Sequence, residues 1–128
     1  MKWRRVAVRL TAPHNTQPLH LDAEAARESE FGQILVNGTF TFSLMVGLTV
    51  AETTMGTLVA NLGYDRLVMP QPVFIGDTMR ATSKVVDLRA SKSRPDAGIV
   101  TFEHELVNQR GEVVCRCLRS TLLKRRGA

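Results

Sequence analysis

"GTFTFSLMVGLTVAET", residues 38–53, is the stretch that decides the fold of this 128-residue chain. It is apolar nearly all round, and Phe40, Leu44 and Leu48 fall at the spacing of one helix face. Its β-branched residues would also suit a strand, so periodicity alone leaves a tie. Gly38 and Thr39 at its start, and its length, tip the reading towards a buried helix. A helix that is apolar on every side must be wrapped by other structure.

The wrapping is supplied by the residues that follow. Strand signals run through 56–68, "TMRATSKVVDLRA" (78–90), "GIVTFEHELVN" (98–108) and "EVVCRCLRSTLLK" (112–124). "NQRG" (108–111) reads as a hairpin turn and "SRPDAG" (93–98) as a second, longer one. Val100 and Phe102 alternate with Glu103 and Glu105, and Val114 stands against Arg116, so one sheet face is buried and the other wet. Upstream, residues 2–10 alternate loosely as a strand would. "DAEAARES" (22–29) has helical composition, with Asp22 as a good N-cap. One buried helix followed by an antiparallel meander has few packing solutions, and the expected class is α+β, a sheet curled around the helix. No repeat, linker or low-complexity segment divides residues 1–128, which read as a single domain.

Composition sets further bounds. Apolar residues make up 44% of the chain, which argues against disorder, and no apolar run reaches the roughly 18–20 residues of a membrane span. The N-terminal "MKWRRVAVRL" is basic but has neither an apolar signal core nor a small-residue cleavage site, so a cytoplasmic location is expected. Cys115 and Cys117 lie two apart on one strand face and cannot easily pair with each other. No second Cys/His pair stands at ligand spacing, so no metal is implied. The net charge of +5 comes partly from "RR" at 4–5 and "KRR" at 124–126, but "RASKSRPD" (89–96) is internal. Nucleic acid is disfavoured, because only 5% of residues are aromatic and none interleave with the basic ones. Phosphates on a small ligand are the favoured explanation.

A second stretch, "HNTQPLHLDAEAA" (14–26), carries chemistry. Asn, Thr and Pro explain a turn there. They do not explain His20, which sits between Leu19 and Leu21 where an apolar residue would serve better. Two readings stand side by side, a hydrogen-bonded structural histidine and a catalytic one.

Three ordered motifs then carry a family resemblance over about residues 13–123. "PVFIGDTMRATSKVVDLRASKSRP" resembles the signature of MaoC-like hydratases, "FGQILVNGTFTFSLMVGL" their segment leading into the central helix, and "NTQPLHLD" their active-site loop. Within the family, "NTQPLH", "LVN", "GTLVANLG" and "SKSRPDAGIVTFEHE" look most like the mesaconyl-CoA hydratase (β-methylmalyl-CoA dehydratase) branch. The resemblance implies a hot-dog fold and reversible addition of water across an enoyl-CoA double bond. It implies no metal or redox cofactor, CoA being part of the substrate.

The residues depart from the family at one point. Ordinary members read Asp-x-Asn-Pro-x-His in the loop, whereas here His20 keeps the His position, Asn15 takes the Asp position and Gln17 the Asn position. The usual His-Gly ahead of the helix is Asn37-Gly38. An amide cannot accept a proton at neutral pH, so the two-residue acid/base scheme is incomplete. Mesaconyl-CoA carries a free carboxylate beside the attacked carbon. A second anion 4 Å away would cost about 4 kcal/mol at an effective dielectric of 20. Asn15 removes that repulsion. His20 can move the proton, and Gly38, starting the helix, can offer its N–H to the thioester oxygen.

Gln17 and Asn37 are taken as substrate contacts, and Arg89, Lys92 and Arg94 as contacts to the CoA phosphates. A solvated loop is the competing reading for the three cations, and a packing glycine for Gly38. Gly76-Asp77 reads as a turn in which Asp77 bonds backbone amides. His104, beside Glu103 and Glu105, reads as a surface residue, and His14 as a shaper of the loop. Open sheet edges and an incomplete pocket call for at least a homodimer. Two rivals remain on the same fold. One is an acyl-CoA thioesterase, needing a carboxylate such as Glu52 at the thioester, and the other is a non-catalytic acyl-CoA-binding domain.

Overall fold

A computed structural model of the chain describes residues 3–5, by backbone alone, and residues 15–127. The elements are β1 (Trp3–Arg5), α1 (Pro18–Leu21), α2 (Ala23–Glu28), α3 (Gly38–Thr53), β2 (Leu58–Val68), β3 (Thr78–Ala90), β4 (Ala97–Val107) and β5 (Val113–Lys124). The rest of the strand expected over 2–10, and His14, lie outside the described residues. The strands form one antiparallel sheet in the order β1-β3-β4-β5-β2. The long central helix is α3, which packs against β3, β4 and β5. Among the described residues no helix is long and apolar enough to cross a membrane.

Local chemistry places the elements. Asp22 caps α2, its Oδ1 accepting from the backbone N–H groups of Glu24 (2.9 Å) and Ala25 (3.4 Å). Asn37 caps α3, its Oδ1 accepting from Phe40 N–H at 2.8 Å and from the Thr39 hydroxyl at 2.9 Å. Asn108 Oδ1 accepts from the N–H groups of Arg110 and Glu112 and so closes the β4–β5 hairpin, where Gly111 takes a positive φ. Gly76 also has a positive φ. Beside it Asp77 Oδ2 accepts from Phe74 N–H at 2.9 Å and Oδ1 from Gln109 Nε2 at 2.9 Å, the turn role its sequence context predicts.

The core joins Met45 of α3 to Met79, Ala81, Leu106, Val114, Cys115 and Cys117 of the sheet. The deepest row of α3 is Thr41, Met45 and Thr49, while Phe40, Leu44 and Leu48 are only partly buried. The row picked out by its spacing in the sequence is thus not the deepest one. The threonine hydroxyls donate to carbonyls of their own helix, Thr41 to Asn37 at 3.4 Å and Thr49 to Val46 at 2.7 Å, so their burial leaves no orphan donor. The opposite stripe, Thr39, Ser43, Gly47 and Ala51, is exposed. Within one chain the sheet therefore covers one side of α3.

A second correction concerns His104, expected at the surface but fully buried. Side chains alternate along a strand, and His104 shares the parity of Val100, Phe102 and Leu106, all buried. Its glutamate neighbours occupy the other face. Its Nδ1 lies 2.7 Å from Ser83 Oγ, and its ring stacks on Phe102 with centroids 5.6 Å apart. On the neighbouring strand Arg119 is 1% exposed, and its Nε donates to Asn61 Oδ1 at 2.9 Å. Burial, helped by the positive charge of Arg119, pushes the His104 imidazole down to about 4. Burial likewise pushes both thiols, Cys115 and Cys117, up to about 11, so neither is a ready nucleophile at neutral pH.

Candidate active site at the start of the central helix

Pro18 suits the first turn of α1, where its missing N–H is no loss. The loop ahead of it is held by Asn15, whose Oδ1 accepts from Gln17 N–H at 3.1 Å. This one-turn helix buries His20, leaving it 9% exposed, and sets its Nδ1 2.6 Å from the Leu35 carbonyl oxygen. A carbonyl only accepts, so the neutral ring carries its proton on Nδ1 and keeps the lone pair on Nε2. The same Leu35 donates its N–H to Leu19 O at 3.2 Å and bridges to Phe74, and Val36 N–H donates to Val73 O at 2.8 Å. These bonds tie the histidine helix, the approach to α3 and the segment before β3 into one frame.

The frame encloses a cavity of about 290 Å³, walled by Leu35, Val36, Gly38, Thr41, Met69 and Val73 among others. Its walls are largely apolar and, among the described residues, include no Lys, Arg, Asp or Glu. Gly38 is the first residue of α3. The Asn37 cap serves Phe40 N–H and the Asn37 carbonyl serves Thr41 N–H. Among the described residues no hydrogen bond takes up the N–H groups of Gly38 and Thr39, the positive end of the helix dipole. His20 is thus tied through Leu35 to the cavity that Gly38 walls at the start of the helix. Such an arrangement can activate water and hold a developing oxyanion.

The other residues singled out from sequence fall elsewhere. Asn37 is 1% exposed and works as the α3 cap. Gln17 is exposed at the head of α1. Arg89, Lys92 and Arg94 sit at the opposite end of the sheet. That end is marked by Arg125 N–H donating to Asp96 O and Lys124 N–H donating to Thr57 O, just past the end of α3. Sixteen residues of helix put about 24 Å between the two ends of α3, so these cations stand apart from the cavity of their own chain. Arg94 is also engaged by Asp96, with Nε–Oδ1 at 3.2 Å and Nη2–Oδ2 at 2.9 Å. Each partner holds the other charged, raising the guanidinium and lowering the carboxyl. Glu52 lies at that far end too, in the wall of another cavity with Thr53 and Ser83. Among the described residues no three His, Cys, Asp or Glu side chains converge as a metal site requires. The sequence reading passed over Met69, since a methionine after a strand looks like loop. His104 and Arg119 were missed too, although strand parity signalled the former.

Comparison with known proteins fixes the class of this arrangement. The fold is the hot-dog fold: a Mycobacterium tuberculosis protein described as having a double hotdog fold superposes with a TM-score of 0.83 over 96% of this chain and 39% of its own, at 21% identity. A MaoC-like dehydratase from Rhodospirillum rubrum superposes with a TM-score of 0.86 at 33% identity, covering 99% of this chain and 90% of its own. The family model for the MaoC like domain matches residues 9–108, and the chain belongs to that family. Mesaconyl-CoA hydratase from Haloarcula marismortui is 34% identical over 114 residues, 88% of this chain but 31% of that protein. The chain thus spans about a third of the length of this curated relative.

Proposed function

We propose that this domain catalyses the reversible hydration of an enoyl-CoA thioester. His20 Nε2 takes a proton from water as its oxygen bonds the β-carbon. The thioester oxygen, turned enolate, rests on the N–H groups of Gly38 and Thr39, and His20 returns the proton to the α-carbon. The observation that carries this reading is the bond from His20 Nδ1 to the carbonyl of Leu35, which leaves Nε2 to accept a proton and ties the histidine to a residue that walls one cavity with Gly38. The scheme uses no metal or redox group.

For the acyl group, mesaconyl-CoA is supported by the names of similar proteins and by Asn15, which avoids a second anion beside a substrate carboxylate. A neutral short-chain enoyl-CoA is a second reading, favoured by a cavity wall that holds no cation among the described residues. A thioesterase is less well supported, because Glu52 lies at the far end of α3 and no carboxylate among the described residues walls the cavity. A homodimer fits the edge strand β2, which exposes Leu62, Tyr64, Leu67 and Val68 together with an unpaired backbone edge. Following the absorbance of the conjugated thioester with mesaconyl-CoA and crotonyl-CoA side by side tests the reading. Loss of absorbance without release of free thiol is expected. Thiol release would make the domain a thioesterase, and no change with either ester would leave only acyl-CoA binding.

A further inference from the structure

The space a Cβ would need on Gly38 is already taken. A Cβ built on it would stand 2.4 Å from Met69 Sδ and 2.9 Å from Met69 Cε, far inside any normal contact. The Met69 thioether is therefore laid directly on the backbone of Gly38, and both residues wall the same cavity. Met69 is not a core residue, being 43% exposed. Its backbone is restrained from the C-terminal side: Pro70 disfavours helical geometry at Met69, and Pro72 stiffens the next turn. What remains free is the side chain itself, with three rotatable bonds and a soft sulfur that can shape itself to what it touches.

We infer that Met69 is the specificity-determining wall at the thioester end of the cavity, and that it limits the substituent an acyl chain carries on its α-carbon. The inference rests on the placement of the thioester oxygen at Gly38 under the proposed function. The α-carbon is bonded directly to the carbonyl carbon. With the oxygen on the Gly38 N–H, a group on the α-carbon comes up against whatever covers Gly38, and that cover is Met69. A flexible thioether can fold around a methyl branch. It has no room for a larger one unless it leaves the cavity. A side chain at position 38 would displace the thioether from this place.

The test pairs hydration with binding in the full chain. Rates are measured with crotonyl-CoA, 2-methylcrotonyl-CoA and 2-ethylcrotonyl-CoA, and calorimetric affinities with the saturated esters butyryl-CoA and 2-methylbutyryl-CoA. In Met69→Phe the larger, stiffer wall should lower kcat/KM for the 2-methyl ester relative to crotonyl-CoA by roughly tenfold, the usual worth of a methyl in an apolar pocket. In Met69→Ala the ratio for the 2-ethyl ester should rise by a similar factor. Both ratios unchanged within about twofold, in variants that still hydrate crotonyl-CoA, would overturn the inference. If the parent hydrates none of the esters but Met69→Phe weakens 2-methylbutyryl-CoA selectively, the hydratase reading falls and the wall stands. If the variants bind the two saturated esters in the parent's ratio, or the parent binds neither, the wall falls as well.

Discussion

Replacing His104 by glutamine should change how the stability of this protein depends on pH. The imidazole is fully buried between Ser83, Phe102 and Arg119, and its pKa falls from 6.5 to about 4. In the unfolded chain the same side chain takes up a proton near 6.5. Between those values the unfolded state binds more protons than the folded one, so acidification from pH 7 towards pH 4 favours unfolding. The depression corresponds to about 3 kcal/mol of stability, present above pH 6.5 and gone by pH 4. His104→Gln keeps a group able to bond Ser83 but cannot titrate. Urea unfolding at pH 7.5, 6.5, 5.5 and 4.5 reads the effect as the gap between parent and variant. The variant starts less stable, because it loses the ring stacked on Phe102, and the gap should narrow by about 1.4 kcal/mol per pH unit below 6.5. Parallel profiles would show that His104 is not held neutral, and the account of its burial beside Arg119 would be wrong.

Three further outcomes are expected. His20→Ala should fold and lose roughly 10²–10⁴-fold in hydration rate, and activity within about threefold of the parent would remove His20 from the mechanism. Asn15→Asp keeps an oxygen to accept from Gln17 N–H, so the loop should persist while specificity diverges. Turnover of mesaconyl-CoA should fall through charge repulsion and that of crotonyl-CoA should rise, whereas faster mesaconyl-CoA hydration would refute the electrostatic account. Gly38→Ala forces its methyl onto the Met69 thioether. Its activity loss should shrink in a Met69→Ala background, and purely additive losses in the double-mutant cycle would deny the contact.

The order and span of the long elements were legible in the chain, while the one-turn helix α1 read as loop. Residues 38–53 mark α3, and the boundaries of β3, β4 and β5 fall within one residue of the sequence reading, because strand alternation and turn residues are local signals. The Asp22 cap and the Asp77 turn were legible for the same reason, since each side chain bonds backbone within three residues. The motif loop and the position of His20 were also written in the sequence. What distance in the chain hides, only the tertiary structure decided. Leu35, fifteen residues away, fixes which nitrogen of His20 keeps the lone pair. The antiparallel sheet carries the 89–96 cations to the end opposite Gly38, although the sequence offered them as partners of one ligand. Met69 meets Gly38 although the two are thirty-one positions apart in the chain. The close row on α3 is Thr41, Met45 and Thr49 because packing rewards how nearly a helix face can approach the sheet, a property that hydrophobicity along the chain does not measure.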